Sequence, residues 1–411
     1  MNSSLSNRQN WWIIGLVFVQ WVIGYFDKTA VSVLAVPIAK EFHFSPMQMG
    51  MALSGFFFGV AAMTPIGGYL ADRFGPRLVL GVAMSFWSLF AGVTALAWSL
   101  ASLVAFRALF GLAEGCFPAA SSSAVASLMP IAQRGRAKAL STSGSSIGTG
   151  IGSLAVAALA TRWGWRSPFV VFGTLGVINA VLFARISRPM RKVADTEFQG
   201  AAAEGRWAVV LHSPLAWVLT ATQFGVGFFT WGLFQWMPTY WMQVKDLSLS
   251  TASMISAAST MVAFFSMIGS GMVSDKISGK EGKFVSLLLF IAIVATCLTW
   301  YLPQIVWDAI FFGIAQIASL TCAPLLGIVV LKRMRSSLAG TATGMTNFGQ
   351  QLAGVVAPTV MGIAIERAGG SYWMVFALVI GVMAIAACVS LAIDRAAPER
   401  VRVSAEQAQE A

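Results

Sequence analysis

Two residues of opposite charge, Arg107 and Glu114, lie inside an apolar run from about 100 to 129. A helix through that run is long enough to cross a bilayer. The seven-residue spacing puts both side chains on one helix face, about 10 Å apart along the axis. Charges within a bilayer are costly unless they face protein or water, so each needs a partner from another helix or a ligand. These residue types in this setting predict binding of an anion and movement of a proton.

A second pair of charges, Asp27 and Lys28, lies in the first apolar run of the chain. Counting from the outer ends of the helices, we expect Lys28 and Arg107 about 10–12 Å inside the membrane and Glu114 about 20 Å inside. Arg107 should then reach Asp27, with Glu114 one level deeper. Alternatively, the four charges only neutralise one another and fix helix packing, but intramembrane ionisable groups more often mark a substrate or proton path.

The four charges sum to zero. A carboxylate substrate would leave one negative charge in a low-dielectric cavity, which is costly unless a carboxyl takes up a proton. Anion and proton would therefore favour one another's binding, which is symport. Lys28 and Arg107 are the expected anchors, Arg by a bidentate contact and Lys as a point charge. Glu114 has no cation one turn away on its own helix, so we expect it to be the main coupling carboxyl, with Asp27 second.

The composition indicates a membrane protein: of 411 residues, 57% are hydrophobic and only 10% are charged, whereas soluble domains carry about 25% charged residues. We expect an all-α membrane protein with twelve transmembrane helices. Their approximate limits are 11–36, 47–71, 77–97, 100–129, 138–160, 166–186, 214–241, 251–274, 284–302, 304–331, 339–365 and 372–393.

Several function classes are disfavoured. The four cysteines lie in apolar runs without metal-ligand spacing, and both histidines lie between spans, so we expect no metal site and no cofactor. The sequence shows no pairing of a nucleophile with a base that would indicate an enzyme. The net charge of +11 indicates orientation rather than a nucleic-acid surface, since no basic cluster is long enough.

The distribution of Lys and Arg predicts the orientation. With the N-terminus inside, twenty of the 27 fall in cytoplasmic segments, five in outer loops and two in the membrane. This bias places both termini in the cytoplasm, and we expect the location to be a bacterial inner (plasma) membrane.

The expected partners are the lipid bilayer, a small organic anion and protons. We expect the chain to act as a monomer and to bind no nucleic acid.

The two halves of the chain repeat. The string Gly68–Arg77 returns as 271–276 after 203 residues, and 110–114 returns as 312–316 after 202. Internal repeats of this kind are typical of two-bundle transporters. The expected domains are a six-helix bundle at 1–186, a cytoplasmic linker at 187–213, and a second bundle with a short cytoplasmic tail at 214–411.

The string Gly68–Arg77 resembles the signature loop of the major facilitator superfamily, and the resemblance covers essentially the whole chain. It implies two pseudosymmetric six-helix bundles, the major facilitator fold. It also implies that the loop stabilises a conformational gate without contacting substrate, with Gly68 allowing close helix approach; a solvated cytoplasmic turn is the alternative. The residues concerned, with their repeat counterparts, are Gly68, Asp72, Arg73, Gly75, Arg77, Asp275 and Lys276.

The charged residues narrow the resemblance to the anion:cation symporter family, whose members carry sugar acids and other organic anions. Tyr25, Asp27 and Lys28 are similar to its first-span pattern Tyr-x-Asp-Arg/Lys. Arg107 and Glu114 match its fourth-span pattern of an Arg and a Glu seven residues apart. This resemblance implies that Tyr25, Lys28 and Arg107 contact the substrate.

Further substrate contacts are expected elsewhere. Asn347 resembles the eleventh-span Asn that contacts substrate in the family's sugar-acid carriers, and 236–240 resembles its seventh-span Trp-x-Pro-x-Tyr ending. Ser145 stands where those carriers often have an amide, and Gln316 is a polar residue of the second half that a hydroxylated ligand could use. We rank Asn347 first, because we expect it to be buried and a buried amide can both donate and accept hydrogen bonds.

The sequence thus predicts a secondary active transporter that imports a small organic anion, a hydroxylated carboxylate such as a sugar acid, in symport with protons by alternating access. One alternative is an organic-anion or organophosphate exchanger. That type would need cations from both halves, but Thr230 and Trp231 occupy the position repeating Asp27–Lys28. The other is a non-transporting, transporter-like membrane sensor, which generally needs a signalling domain.

Overall fold

The computed structural model describes residues 7–188, 206–277, 279–334 and 336–395, which form helices joined by short connections. The first half contains seven helices: α1 (Asn7–Val33), α2 (Ala35–Phe42), α3 (Pro46–Phe74), α4 (Pro76–Thr94), α5 (Leu100–Leu128), α6 (Ile131–Trp163) and α7 (Ser167–Ile186).

The second half begins with the short α8 (Arg206–His212) and α9 (Pro214–Gly227). A π-helical segment (Phe228–Leu233) then leads into α10 (Phe234–Gln243). The remaining elements are α11 (Leu249–Lys276), α12 (Glu281–Tyr301), α13 (Ile305–Arg333), α14 (Ser336–Arg367), α15 (Trp373–Ser390) and a final 3₁₀ turn (Leu391–Ile393).

Within the described ranges, ten helices are long and apolar enough to cross a membrane. The predicted seventh span, 214–241, is divided among α9, the π-helical segment and α10. The predicted eighth span contributes a shorter apolar stretch, Leu249–Val262. Pro238 lies within α10, beyond the π-helical segment.

Capping residues set where the helices that carry the site begin. Ser45 and Gln48 form a reciprocal capping box at the start of α3, and Ser99 and Ser102 do the same for α5. Each box satisfies amide groups that the first helical turn leaves without partners. Gly75 separates α3 from α4 with a φ of 78°, a conformation that glycine adopts without steric cost.

The chain divides into two compact units. One contains residues 1–201 and 235–257, and the other contains 202–234 and 258–411. The linker predicted at 187–213 lies mostly outside the described residues, as does the predicted tail beyond residue 395.

In the first unit, α1 packs closely on α6. A Cβ atom placed on Gly148 would lie 2.6 Å from the backbone oxygen of Val22 and 2.7 Å from the Cβ of Tyr25. The recurrence of glycine at positions 144, 148 and 152 predicts a face of this small-residue kind, and the structure confirms it. The contact fixes α1 immediately before Asp27 and Lys28.

The second close contact of the first unit joins α3 and α5. Gly111 of α5 lies directly against the backbone oxygen of Phe56, so a side chain at this position would collide with α3. Because Gly111 lies between Arg107 and Glu114, this contact sets the distance of both charges from α3. On α3 itself, Gly67 makes a close approach to α5, whereas a Cβ on Gly68 would meet no described atom within 4 Å. The close helix approach expected at Gly68 stays a prediction.

An ion pair outside the spans joins α2 to the connection between α6 and α7. The Trp165 indole donates to Glu41 Oε2 at 2.5 Å, and Arg166 Nη1 lies 2.6 Å from Glu41 Oε1. The Trp165 hydrogen bond, followed by the one from Arg166, lowers the pKa of Glu41 below its usual range. Arg166 Nε also donates to the backbone oxygen of Ala95. Arg166 therefore joins α2, the connection between α4 and α5, and the connection between α6 and α7.

We expect Gly148→Ala to destabilise the protein, although alanine is intrinsically the better helix former by about 1 kcal/mol. The added methyl group must push α1 away from α6, and such overpacking typically costs about 1–3 kcal/mol. Gly135→Ala on the same helix is the matched control, because a Cβ there meets no described atom within 4 Å. Thermal unfolding in detergent should show a lower transition for Gly148→Ala alone. An unchanged or raised transition would contradict the packing described for α1.

Candidate functional site

The predicted pairing of Asp27 with Arg107 is present in the structure. Arg107 Nη1 on α5 donates to Asp27 Oδ2 on α1 at 2.5 Å. Both side chains are buried, with relative exposures of 2% and 1%. A buried ion pair of this kind is strongly destabilised when one partner is removed, because the other charge is left uncompensated.

Lys28 and Glu114 form the second ion pair of the site. Lys28 Nζ lies 3.6 Å from Glu114 Oε1, and the two side chains are 7% and 6% exposed. The sequence analysis considered only cations on the helix of Glu114 and found none one turn away. The structure instead brings a cation to Glu114 from α1. All four charges thus lie in one cluster within the first unit.

Aromatic rings complete the surroundings of Lys28. Its Nζ lies 4.6 Å from the ring centre of Phe56, 5.3 Å from Phe57 and 4.7 Å from Tyr25. Cations are attracted to ring faces at such distances, and the attraction strengthens when water is excluded. The sequence analysis selected Tyr25 but missed Phe56 and Phe57. The aromatic run at 56–58 was the available signal, but its meaning depends on how α3 meets α1.

Two carboxylate oxygens of the cluster are buried and have no hydrogen-bond partner among the described residues, namely Asp27 Oδ1 and Glu114 Oε2. A buried polar atom without a partner is costly, and such atoms often accept a ligand or a proton. The cluster therefore combines two cations able to hold an anion with two carboxyls that each have an oxygen available for a proton.

The first unit also contains Ser145, which is half-buried on α6. Its hydroxyl donates to the backbone oxygen of Thr142 at 2.7 Å on the same helix. The oxygen can still accept a hydrogen bond, because a hydroxyl carries two lone pairs. Tyr25 is half-buried beside Lys28.

In the second unit, Gln316 is buried on α13. Its Nε2 has no hydrogen-bond partner among the described residues, and neither do Gln223 Oε1 on α9 and Ser319 Oγ on α13. Asn347 on α14 is exposed, although the sequence analysis treated it as a buried amide. Its predicted contact with a substrate stays a prediction.

The predicted gate residues are only partly described. Arg73 Nη1, at the end of α3, donates to the Tyr69 hydroxyl at 2.7 Å, and Arg77 Nε on α4 donates to Ser187 Oγ at 3.3 Å. Gly75 forms the turn between the two helices. The side chains of Asp72, Asp275 and Lys276 lie outside the described residues.

The π-helical segment is a feature that the sequence analysis missed. It covers Phe228–Leu233 and so contains Thr230 and Trp231, the repeat counterparts of Asp27 and Lys28. Single π turns within helices occur often at functional positions. Gly232 permits the segment to pack, because a Cβ there would lie 2.7 Å from the Cβ of Ala357 on α14.

Comparison with known families gives one result that covers most of the chain. The family model described as Major Facilitator Superfamily matches residues 16–358.

Curated relatives are transporters of anions by their names. The chain is 29% identical over 408 residues to a probable sulfoacetate transporter of Cupriavidus necator, with 93% of each chain covered. It is 27% identical to a hexuronate transporter of Bacillus subtilis, covering 87% of this chain and 88% of the relative. It is 25% identical to a probable L-galactonate transporter of Escherichia coli, covering 85% and 82%.

Solved structures share the fold. A bacterial homolog of the human lysosomal transporter Spinster, in an inward-facing and unoccupied conformation, matches with a TM-score of 0.82 and 19% identity, covering 94% of this chain and 97% of that one. A D-xylose–proton symporter matches with a TM-score of 0.70 and 14% identity, covering 94% and 98%. These likenesses confirm the expected all-helical fold.

We expect the Asp27–Arg107 pair to be strongly coupled in stability. Arg107→Met should lower the free energy of unfolding by about 3–5 kcal/mol, because it leaves a buried carboxylate without its cation. The double variant Asp27→Asn/Arg107→Met should recover most of that loss. A double-mutant cycle on thermal unfolding in detergent measures the coupling. The matched cycle with Glu114→Gln and Lys28→Met should give a smaller coupling, since that pair is longer at 3.6 Å. Equal couplings, or none, would contradict the geometry.

Proposed function

The chain belongs to the major facilitator superfamily, and we propose that it imports a small organic anion in symport with protons by alternating access. The observation that carries the proposal is the buried, charge-neutral cluster on α1 and α5. Charged groups are rare inside membrane spans and usually mark the path of a substrate or a proton. In this chain two cations and two carboxyls lie together in one buried cluster.

Anion binding proceeds by competition within the cluster. Each cation already holds a carboxylate, Arg107 with Asp27 and Lys28 with Glu114. A substrate carboxylate that approaches either cation displaces a carboxylate of the protein, or is bound beside one that has become neutral. Arg107 presents a planar fork for two parallel hydrogen bonds, and Lys28 presents a compact point charge. The two cations therefore suit one carboxylate in two different geometries.

Proton uptake restores the charge balance. Because the empty cluster is neutral, a singly charged anion leaves one excess negative charge that a single proton on a carboxyl removes. Glu114 is the carboxyl that takes this proton first. Its ion pair is the longer of the two, 3.6 Å against 2.5 Å, and its Oε2 has no partner among the described residues. Asp27 follows when substrate has drawn Arg107 away.

The substrate class is a small carboxylate or sulfonate with hydroxyl groups. The relatives named for sulfoacetate, hexuronate and L-galactonate support an anionic head that Lys28 and Arg107 recognise. A doubly charged anion would by the same balance require two protons, one on each carboxyl. The hydroxyls of a sugar acid would be bound by neutral polar side chains, namely Tyr25, Ser145, Gln316 and Asn347.

Alternating access requires two moving bodies, which we assign to the bundles 1–186 and 214–411 joined by the linker. The gate-stabilising role falls to Gly68, Asp72, Arg73, Gly75, Arg77, Asp275 and Lys276. The excess of Lys and Arg in alternate connections supports cytoplasmic termini, in a bacterial inner membrane and with the monomer as the working unit.

We expect Glu114→Gln to separate binding from coupling. The amide mimics the protonated carboxyl, so the variant should bind the singly charged glucuronate and catalyse its counterflow exchange, but lose accumulation driven by a pH gradient. Uptake into proteoliposomes with and without an imposed gradient measures this. Lys28→Ala is the contrasting variant and should lose binding itself. If Glu114→Gln accumulates the probe as wild type does, the coupling role belongs to Asp27. If wild type exchanges but never accumulates the probe, the protein is an exchanger.

We expect Asn347→Ala to weaken binding of a hydroxylated anion without affecting folding, because the side chain is exposed. The loss should be about tenfold in affinity for glucuronate, the size of one hydrogen bond to a charged or strongly polar group. Sulfoacetate has no hydroxyl group and is the matched control probe, with unchanged affinity. Thermal-shift titration of the purified protein measures both. Equal losses for the two probes, or none, would assign Asn347 a structural role.

A further inference from the structure

A half-buried cation, Lys138, lies near the other end of α5, outside the four-charge cluster. Lys138 belongs to α6, and its Nζ donates to Ser122 Oγ at 2.8 Å and to Ser121 Oγ at 3.4 Å on α5. No described carboxylate forms an ion pair with it. A partly desolvated ammonium without a counter-ion is costly, and it can bind an anion without displacing a carboxylate of the protein.

Position along the helix relates Lys138 to the cluster. Ser121 follows Glu114 by seven residues, as Glu114 follows Arg107, so all three share one face of α5 and each step is about 10 Å. Beyond Glu114 on this face, Ser121 is itself buried, but the neighbouring Pro118 and Ser122 are exposed. Lys138 therefore lies about two turns from the cluster, toward the end where α5 finishes and α6 begins.

The chemistry of the group suits an oxyanion. The lysine ammonium has three donors, of which two point to the serine hydroxyls, leaving one for a ligand. Both serine hydroxyls donate to the backbone oxygen of Pro118, which holds their oxygens toward Lys138. The group thus presents a directed positive charge flanked by two small polar side chains.

A lysine near a membrane interface can instead extend toward lipid headgroups and serve only as an orientation charge. The neighbouring Arg134 and Arg136 are exposed and fill that role. Lys138 differs because its ammonium turns inward to hydroxyls of the adjacent helix.

We propose that Lys138, Ser121 and Ser122 form a second anion-binding station for the carboxylate or sulfonate group of the substrate, on the side that we assign to the cytoplasm. This inference rests on the proposed transport of organic anions. An anion released from Lys28 and Arg107 passes Lys138 before it reaches the cytoplasm, and the station sets the affinity on that side only.

Sided transport kinetics test the station. With radiolabelled glucuronate and sulfoacetate as probes, right-side-out and inside-out membrane vesicles give the half-saturating concentration from each face. Lys138→Gln should raise that concentration about tenfold from the cytoplasmic face, the loss expected for one hydrogen bond to a charged group. The value from the opposite face should stay within about twofold, because the four-charge cluster is unaltered. Lys138→Arg should restore the affinity. Arg136→Gln is the matched control, because it removes one charge from the same helix. An equal change from both faces, or from neither, would overturn the proposal.

A second measurement needs no transport and separates this inference from the proposed function. In a background with the four native cysteines replaced, Ser122→Cys is labelled with anionic sulfonatoethyl or cationic trimethylammonioethyl methanethiosulfonate. Lys138 should favour the anionic reagent, and Lys138→Gln should lower the ratio of the two rates about tenfold. An unchanged ratio would refute the station. A lowered ratio in a protein that transports neither probe would support the anion site and refute organic-anion import.

Discussion

Charge neutrality of the cluster formed by Asp27, Lys28, Arg107 and Glu114 is the constraint on which the rest of the structure depends. An unpaired charge at these positions would cost several kcal/mol in a low-dielectric interior, so α1 and α5 must be held where each cation meets a carboxylate. The two pairs are not equivalent, with separations of 2.5 Å and 3.6 Å. In the proposed mechanism this difference orders the events. The looser pair yields the first proton-binding site, and the tighter pair opens only when a substrate carboxylate competes for its arginine.

The helix packing around the cluster follows from that requirement. The helices that carry the charges are held in place by close contacts with neighbouring helices. Gly148 allows α1 to lie against α6, and Gly111 allows α5 to lie against α3. Without a hydrophobic driving force between helices in a bilayer, such small residues supply the van der Waals contact that holds a bundle together. The second contact involves Phe56, whose ring also lies 4.6 Å from Lys28 Nζ, so one residue of α3 makes a packing contact with α5 and a cation–π contact with α1.

The sequence predicted the helical architecture and the Asp27–Arg107 pair, because hydropathy and charge depth are additive along a helix and need no tertiary information. It did not predict that Lys28 reaches Glu114 or that Phe56 and Phe57 surround the lysine. Those contacts depend on the rotation of α1 and α3 about their own axes, which composition does not encode. The exposure of Asn347 and the π turn at Phe228–Leu233 escaped prediction for a related reason. Both are set by the packing of α9 and α14 rather than by a local pattern, since the repeat alone would make the seventh span a regular helix like the first.

The internal repeat pairs charged residues of the first half of the chain with neutral residues of the second half. Asp27 and Lys28 correspond to Thr230 and Trp231, and Glu114 corresponds to Gln316, so these charges of the first repeat have neutral counterparts. An amide cannot exchange a proton near neutral pH, and Gln316 therefore cannot duplicate the coupling role proposed for Glu114. It can still hydrogen-bond, and its Nε2 is buried without a partner among the described residues. The repeat has thus diverged in chemistry. In the proposed function, the first copy balances the charge of an anion and a proton, and the second supplies neutral polar groups for the hydroxyls of the substrate.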